Sequence, residues 1–335
     1  MPDSLPLVTL YLSERCNSRC VTCDYWRHGV KDMTLDSVSR LLPELAGLRT
    51  RAVLLSGGEP LVNPEWREIA ELLAGRGLTL WLLTSGLSLA KHARASARLF
   101  DSITVSLDGT CAETYAAIRG LDAFDTVCEG IRAVAAAGRP AGLRVTLQRS
   151  NYRELVRFVT LARELGAASV SFLAVDVSNG HAFARHDESP PELALRDGDI
   201  AELDRLLEQL EREHAEDFRA GFIAESPAKL RGIRDYFAAL LGRHEFPAVR
   251  CNAPEFSAVI GADGRVAPCF FIPGPALAPR APGLGAALAS EPMRALRASI
   301  RGGRRKECER CVCSMWRDPA ALARETFTNG AAAHA

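Results

Sequence analysis

The stretch "LVTLYLSERCNSRCVTC" (residues 7–23) joins a short apolar run to a loop that carries three cysteines. Residues 7–12 are nearly continuous in hydrophobicity, as expected of a strand that is buried on both faces. The loop then places Cys16, Cys20 and Cys23 within eight positions. Three soft ligands gathered directly after a buried strand predict a metal site on the loop that the strand leads into.

Five further runs of the same kind follow the first. They are "AVLLS" (52–56), "LTLWLLT" (78–84), "SITVSL" (102–107), "LRVTLQ" (143–148) and "SVSFLAV" (169–175). Amphipathic stretches with helical periodicity lie between them. Six repeats of strand then helix predict right-handed crossovers and a parallel sheet. A partial β/α barrel and a doubly wound sheet both fit, and in either fold the functional groups lie on loops after the strands.

Helix ends can also be predicted. Thr34 is expected to cap a helix that Pro43 shortens or kinks, and Asn63 is expected to be the N-cap of the next helix, with Pro64 at its first position. Beyond residue 250 the chain becomes richer in Gly, Pro and Cys, and Asp263-Gly264 predicts a hairpin. We therefore predict two domains, residues 1–245 with a barrel and a helical connection, and residues 246–335 with a small cysteine-rich α+β fold.

Composition disfavours two classes of partner. The 335 residues include 41 basic and 41 acidic side chains, so the formal net charge is zero, and this disfavours a nucleic acid or an anionic membrane as the partner. The N-terminus lacks the pattern of a signal peptide, and no apolar run reaches the roughly eighteen residues of a membrane span. These features predict a cytoplasmic protein whose ten cysteines are reduced thiols or metal ligands.

The spacing C-x3-C-x2-C suits a [4Fe–4S] cube that keeps one iron free of protein ligands. An open coordination position is typical of a metal centre that binds a substrate or cofactor. Two alternatives remain, a zinc site with a fourth ligand such as His28, and three thiols that are simply buried.

At this point the chain resembles the radical S-adenosylmethionine (SAM) superfamily, in which the C-x3-C-x2-C loop follows the first strand of a partial β/α barrel. The resemblance implies a partial (β/α)6 TIM-type barrel. It also implies that SAM binds the free iron and is cleaved to a 5′-deoxyadenosyl radical, which abstracts hydrogen from a substrate. Such enzymes need an electron donor such as flavodoxin or ferredoxin. One departure is Thr22, which stands where an aromatic residue often precedes the third cysteine; Tyr25 or Trp26 would then supply that surface.

The same resemblance extends to SAM contacts. "SGGEP" (56–60) resembles the stretch that receives the SAM amino group: Gly57 and Gly58 allow a close backbone approach, and Glu59 suits a cationic ammonium. "VSLDG" (105–109) makes Ser106 and Asp108 candidates for facing SAM, and Arg119 resembles an arginine that reaches its carboxylate. Asp108 as a turn residue and Arg119 as a surface residue are the alternatives.

The C-terminal cysteines predict a second site. Cys251 and Cys269 flank the predicted hairpin, and "CERC" adds Cys308 and Cys311, so four thiolates are available for a [4Fe–4S] cluster or for zinc. This arrangement resembles the twitch subdomain, a shortened SPASM extension that holds one auxiliary [4Fe–4S] cluster. Cys313 competes with Cys311 as a ligand.

The predicted activity is hydrogen abstraction from a small polar substrate of the sugar, aminocyclitol or nucleoside type, in natural-product or cofactor biosynthesis. An auxiliary cluster suits dehydrogenation or decarboxylation, so the enzyme would be an oxidoreductase or lyase. The cysteine loop begins at residue 16, which we interpret as the lack of a leader-peptide domain. The alternatives are a maturase that modifies a ribosomally made peptide and a non-catalytic iron–sulfur or zinc scaffold. Gln148, Asp176 and Asn179 are polar candidates on late loops, without a catalytic assignment.

Overall fold

In a computed structural model, which describes residues 4–185, 190–275 and 283–318, the chain folds around an eight-stranded sheet. The strands are β1 (Leu7–Ser13), β2 (Ala52–Gly57), β3 (Thr79–Thr84), β4 (Ser102–Ser106), β5 (Gly142–Leu147), β6 (Ser169–Ala174), β7 (Ser257–Ile260) and β8 (Val266–Ala267). All six strands predicted in the first half of the chain are confirmed, with ends within one residue of the prediction.

The strand order decides between the two predicted folds. Strands β1 to β6 are adjacent in the order in which they occur along the chain, and every neighbouring pair among them is parallel. A doubly wound sheet reverses its order at a switch point among its parallel strands, and strands β1 to β6 show no such reversal. The partial β/α barrel is therefore confirmed.

Helices connect and cover the strands. They are α1 (Tyr25–His28), α2 (Leu35–Gly47), α3 (Trp66–Ala74), α4 (Leu89–Leu99), α5 (Ala112–Arg119), α6 (Phe124–Ala136), α7 (Leu155–Glu164), α8 (Asp197–Glu213), α9 (Ala215–Arg219), α10 (Pro227–Leu240), α11 (Ala253–Phe256), α12 (Leu284–Ala289), α13 (Glu291–Arg301) and α14 (Lys306–Glu309). Short 3-10 turns occupy Pro60–Val62, Tyr152–Glu154, Ala182–Ala184 and Pro191–Leu193. None of the helices in the described ranges combines the length and hydrophobicity that crossing a bilayer requires.

Two predictions about helix ends need correction. Thr34 caps α2 through a capping box with Ser37, as expected of a cap, but the helix runs on to Gly47 with Pro43 inside it. The helix after β2 begins at Trp66 rather than beside Asn63. The Asn63 side-chain oxygen accepts from the Glu65 N–H (2.8 Å), and its NH2 group donates to the carbonyl oxygens of Leu12 near the end of β1 (2.7 Å) and of Met33 before α2 (2.8 Å). Asn63 therefore joins three segments, and the helix starts later.

The strands separate an apolar outer layer from an inner cavity. Val8 and Leu10 of β1 are fully buried in the main core, whereas Leu7 and Thr9 line the cavity, so successive side chains point to opposite faces. The carboxyl ends of the parallel strands meet at one edge of the sheet, and the loops that follow β1, β2, β4 and β6 lie together there.

The C-terminal segment extends the same sheet. Strand β7 pairs in parallel with β1, from Leu7 opposite Ser257 to Leu10 opposite Ile260, and β8 returns antiparallel to β7. This confirms the predicted hairpin. The predicted boundary near residue 245 stays a prediction, and residues 276–282 and 319–335 of the predicted second domain lie outside the described residues.

Candidate active site

The three cysteines of the N-terminal loop face one cavity. Cys16, Cys20 and Cys23 are half-buried free thiols, and all three line a cavity of about 290 Å³. Ser18 lies between the first two: its backbone N–H donates to Cys16 Sγ (3.4 Å), and its hydroxyl lies 3.2 Å from Cys20 Sγ. The fold therefore collects these three thiols on one surface, where they can act together.

The protonation state of these thiols depends on burial. Burial raises the pKa of Cys16 to about 11 and that of Cys23 to about 12, from an ordinary value of 9.0. A charge on Cys20 raises both pKa values further, and the positive charge of Arg119 acts in the opposite direction. Such thiols are protonated at neutral pH, and coordination to a metal is what converts them to thiolates.

The cysteine loop is fixed against the C-terminus of α5. The backbone N–H of Arg19 donates to the carbonyl oxygen of Arg119, and that of Val21 donates to Ile118, both at 3.0 Å. Gly120 ends the helix with a φ of 71°, and a Cβ at this position would collide with the Arg19 carbonyl oxygen. A glycine is required here both by the left-handed backbone and by the close approach of the loop.

Gly57 and Gly58 line the cavity and also pack against the start of the cysteine loop. Gly57 has a φ of 116°, and a Cβ there would lie 2.5 Å from the Ser13 carbonyl oxygen. A Cβ on Gly58 would collide with the Arg15 carbonyl oxygen and lie 2.7 Å from that of Glu14. The sequence argument assigned these glycines to the approach of a ligand; the structure shows that they also admit the chain's own backbone.

Glu59 has its hydrogen bonds within the chain. Its fully buried carboxylate accepts from the Leu61 N–H (3.0 Å), the Thr84 hydroxyl (2.8 Å) and the Ser85 N–H (2.6 Å). Glu59 is not among the residues that line the cavity. Its contact with an ammonium group stays a prediction, while the structure shows it joining the ends of β2 and β3.

Asp108 and Arg119 form a buried ion pair at the cavity wall, next to Ser106. Arg119 Nη1 lies 3.1 Å from Asp108 Oδ2, and the other Asp108 oxygen accepts from the Thr146 N–H (2.7 Å). Burial raises the pKa of Asp108, and the charge of Arg119 opposes this. Arg119 Nε is buried without a hydrogen-bond partner in the described part of the chain. Arg119 is thus no surface residue, and it keeps one donor for an anion.

These residues fit a [4Fe–4S] cluster with an anionic ligand beside it. Three free thiols share a cavity wall, and the unpartnered Arg119 Nε suits a carboxylate. No three Cys, His, Asp or Glu side chains within residues 4–185, 190–275 and 283–318 close around a single metal ion. A [4Fe–4S] cube needs its thiolates farther apart than a single zinc ion does, because each thiolate binds a different iron.

The four C-terminal cysteines are also brought together. Burial raises the pKa of Cys269 to about 12, and charges on Cys251 and Cys308 raise it further. Burial raises the pKa of Cys311 as well, and a charge on Cys313 adds most to the effect, followed by charges on Cys251 and Cys269. Each of these thiols therefore lies within electrostatic range of at least two of the others, as ligands of one cluster must.

Asn252 fixes the last cysteines beside Cys251. Its side chain donates to the Arg317 carbonyl oxygen (2.8 Å) and accepts from the Arg317 N–H (2.9 Å). This clamp ties the segment that follows Cys313 to the residue next to Cys251. Cys313 lines the central cavity and Cys311 does not, so the two thiols face different surroundings.

The polar candidates of the late loops occupy buried positions. Asp176 and Asn179 are 6% and 4% exposed, and the fully buried Gln148 side chain has no hydrogen-bond partner among the described residues. Sequence reasoning missed two arginines that line the cavity, Arg144 and Arg185. A charged residue inside the apolar run "LRVTLQ" was a usable signal for Arg144, whereas Arg185 lies in a polar connection that carries no such signal.

Comparison with known proteins agrees with this geometry. The model of the Radical SAM superfamily matches residues 10–162. The AdoMet-dependent heme synthase of Methanosarcina barkeri is 27% identical over 293 residues, covering 82% of this chain and 79% of the relative. Mycofactocin maturase MftC of Mycobacterium tuberculosis is 29% identical over 171 residues, covering 49% of this chain and 44% of that relative.

A solved structure shows the same fold over most of the chain. Streptococcus suis SuiB bound to precursor peptide SuiA superposes with a TM-score of 0.67 at 14% identity. The match covers 93% of this chain and 71% of SuiB, so it includes the C-terminal segment as well as the barrel.

Proposed function

Residues 10–162 match the Radical SAM superfamily, and from this premise we propose that the chain is an oxidoreductase or lyase that takes a hydrogen atom from a small polar substrate. Enzymes of this superfamily use a [4Fe–4S] cluster and SAM, and the proposed cluster ligands are Cys16, Cys20 and Cys23. The observation that carries the proposal is that one cavity collects these thiols, both glycines of "SGGEP" and the Asp108–Arg119 pair.

Each residue of the site has a proposed task. When bound, the cluster and SAM supply one-electron chemistry that ends in hydrogen-atom abstraction. Arg119 Nε would donate to the SAM carboxylate, while Asp108 holds the opposite edge of the guanidinium in place. The Ser106 hydroxyl offers a further hydrogen bond from the same wall. Glu59 contributes by fixing the turn that presents Gly57 and Gly58.

The cavity wall supports a polar substrate. Its lining includes the hydroxyl groups of Thr104 and Thr146 and the guanidinium groups of Arg144 and Arg185. Such groups bind the hydroxyls and carbonyls of a sugar, aminocyclitol or nucleoside. The heme synthase relative is consistent with a role in cofactor biosynthesis.

The C-terminal cysteines are proposed to hold an auxiliary [4Fe–4S] cluster on Cys251, Cys269, Cys308 and Cys311. Cys269 lines the central cavity together with the N-terminal thiols, so this second centre would border the reaction space. That position supports a redox outcome such as dehydrogenation. Flavodoxin or ferredoxin is the proposed electron donor.

A peptide substrate is the second candidate. One relative is named a mycofactocin maturase, and the SuiB structure contains a precursor peptide. A comparison of 5′-deoxyadenosine formation with nucleoside and sugar fractions against peptide fractions of an extract separates the two. Stimulation by the peptide fraction alone would replace the small-molecule proposal.

The activity itself is tested by anaerobic reconstitution with iron and sulfide, addition of SAM and dithionite, and measurement of 5′-deoxyadenosine. Cys20→Ala is expected to abolish the product. Cys111→Ala is the matched control, since Cys111 is an exposed free thiol outside the cavity, and it is expected to behave as the unmodified chain does. An intact cluster that forms no 5′-deoxyadenosine would support the scaffold alternative.

The auxiliary site has its own test. A variant with Cys16, Cys20 and Cys23 all replaced by Ala is expected to retain about four irons per chain, because the C-terminal thiols are untouched. Zinc in place of that iron would contradict the auxiliary cluster.

A further inference from the structure

The loop that follows β6, residues 176–185, is folded by its own polar side chains. Asp176 Oδ1 accepts from the N–H groups of Ser178 (2.9 Å) and Asn179 (3.1 Å). The Asn179 amide donates to the carbonyl oxygen of Phe271 in the C-terminal segment (2.8 Å). Asp176 and Asn179, both buried, therefore act on the backbone of this loop and on its neighbour rather than on a ligand.

This loop also contacts the cysteine loop. The carbonyl oxygen of Phe183 accepts from the Asp24 N–H (3.0 Å) and from Cys23 Sγ (3.5 Å). Phe183 and Ala184 have φ angles of 59° and 57°, in the left-handed region that residues with a side chain rarely adopt. Two such residues in succession store strain, and strain of this kind is concentrated at binding and catalytic sites. They immediately precede Arg185.

Arg185 is held with one edge of its guanidinium free. Nε donates to the Ala182 carbonyl oxygen (3.1 Å), and Nη1 donates to the Asp176 carbonyl oxygen (2.8 Å). Nη2 lies 3.7 Å from Asp176 Oδ2, which is an ion pair but too long for a hydrogen bond. The side chain is 6% exposed, it lines the cavity, and Nη2 has no hydrogen-bond partner in the described ranges.

A buried guanidinium nitrogen without an acceptor is costly, because water no longer supplies the missing hydrogen bond. Burial lowers the pKa of Arg185, and the charge of Asp176 is the largest opposing contribution, followed by those of Cys23 and Asp24. Asp176 Oδ1 already accepts from its own loop, and Asp176 Oδ2 lies beyond hydrogen-bond distance of Nη2, at 3.7 Å. An anion that enters the cavity and accepts from Nη2 removes the unfavourable contribution, so the position is prepared for one.

We propose that Arg185 binds a carboxylate of the substrate within the central cavity, an assignment that rests on the function proposed above. Because Nε and Nη1 are engaged by carbonyl oxygens, a single nitrogen remains, which suits a singly charged carboxylate better than a doubly charged phosphate. SAM also carries a carboxylate, for which Arg119 is the proposed partner on the β4 side of the cavity.

The surroundings of Arg185 suggest a probe. Its guanidinium carbon lies 5.3 Å from the centre of the Phe183 ring, and Phe183 packs edge-on against Phe271 (5.8 Å), so aromatic side chains lie close to the guanidinium. Benzoate offers a ring and a carboxylate, and benzamide is its uncharged counterpart. Titration calorimetry on the cluster-loaded protein would compare the two.

We expect benzoate to bind the cluster-loaded protein about ten- to a hundredfold more tightly than benzamide, as a hydrogen bond to a charged group should give. Arg185→Met should abolish this preference. Arg185→Lys keeps the charge and should reduce the preference for benzoate several-fold. It also provides a second test if the Met variant does not fold. Arg157→Gln is the control, since Arg157 pairs with Glu164 on the outer surface of α7. No preference in the unmodified protein, or a full preference in Arg185→Met, would overturn the proposal.

A second measurement separates the two sources of a carboxylate. Equilibrium dialysis of SAM against Arg185→Met should show an affinity within about twofold of that of the unmodified protein. A tenfold loss of SAM affinity would assign Arg185 to the cofactor and overturn the substrate assignment. Formation of 5′-deoxyadenosine by the unmodified protein tests the proposed function separately, because benzoate binding does not depend on SAM cleavage.

Discussion

Replacing Gly58 by Ala tests whether the "SGGEP" turn is needed to seat the cysteine loop. The new Cβ would collide with the Arg15 carbonyl oxygen and lie 2.7 Å from the Glu14 carbonyl oxygen. Both are backbone atoms, so no side chain can rotate away. Overpacking of this kind costs about 1–3 kcal/mol. The separation also stretches two backbone hydrogen bonds, from Gly58 N to Ser13 O (2.7 Å) and from Glu59 N to Arg15 O (2.9 Å), at about 1 kcal/mol each.

The expected loss is therefore about 3–5 kcal/mol in the free energy of unfolding, measured by urea denaturation of the metal-free protein. The metal-free form is used because metal binding would itself add to stability. Gly232→Ala is the matched control: Gly232 lies within α10, and a Cβ there would meet no heavy atom within 4 Å. Alanine is the better helix former, so the control should gain up to about 1 kcal/mol.

Iron content gives the second measurement. Glu14 and Arg15 directly precede Cys16, so displacing them displaces the thiols, and the iron content of reconstituted Gly58→Ala should fall from about eight to about four per chain. Equal urea midpoints for the two alanine variants, together with equal iron contents, would show that the turn does not support the loop.

Three further perturbations have defined outcomes. The folded metal-free protein keeps thiol protons that the unfolded chain releases above pH 9, because burial raises the pKa of thiols such as Cys16 (about 11). Its free energy of unfolding should therefore fall as the pH rises from 9 to 12. Urea denaturation midpoints measured over this range should decline less for the cluster-loaded protein than for the metal-free protein. Asp108→Asn leaves Arg119 buried without its anion, which should lower the free energy of unfolding by about 3–5 kcal/mol. The same variant should bind SAM more weakly, as measured by equilibrium dialysis. Asp36→Asn, which removes an exposed ion pair, is the control and should change the free energy of unfolding by less than about 1 kcal/mol. Asn252→Ala removes the clamp on the C-terminal cysteines and should lower the iron content by about half while 5′-deoxyadenosine is still formed; an unchanged iron content would contradict the role of the clamp.

Local patterns were sufficient for the barrel strands. Each strand is a short apolar run bounded by polar loops, and burial on both faces makes such runs conspicuous. The pairing between β1 and β7 could not be predicted from the sequence, because 250 residues separate Leu7 from Ser257 and no local pattern encodes that contact. The contacts of the Asn63 NH2 group could not be predicted for a similar reason, because its two acceptors, Leu12 and Met33, are 51 and 30 residues away along the chain.

The residues of the site likewise divide into those that local sequence predicts and those that depend on distant contacts. Cysteine spacing identified the thiols that share the cavity, since their positions follow from one short loop. The partners of Glu59 could not be predicted, because Thr84 and Ser85 reach it from β3. Arg185 is one of 41 basic residues, and only its burial distinguishes it from a solvated arginine.

The pairing of β7 with β1 has a consequence for biosynthesis. On the ribosome, β1 finds β2 early, but its other edge has no partner until residues 257–260 emerge. At about 5–20 residues per second this interval lasts roughly 12–50 s, during which an unpaired strand edge lies next to the cysteine loop. The C-terminal segment therefore closes the β1 edge of the barrel sheet, and we expect the nascent chain to expose that edge until residues 257–260 have been made.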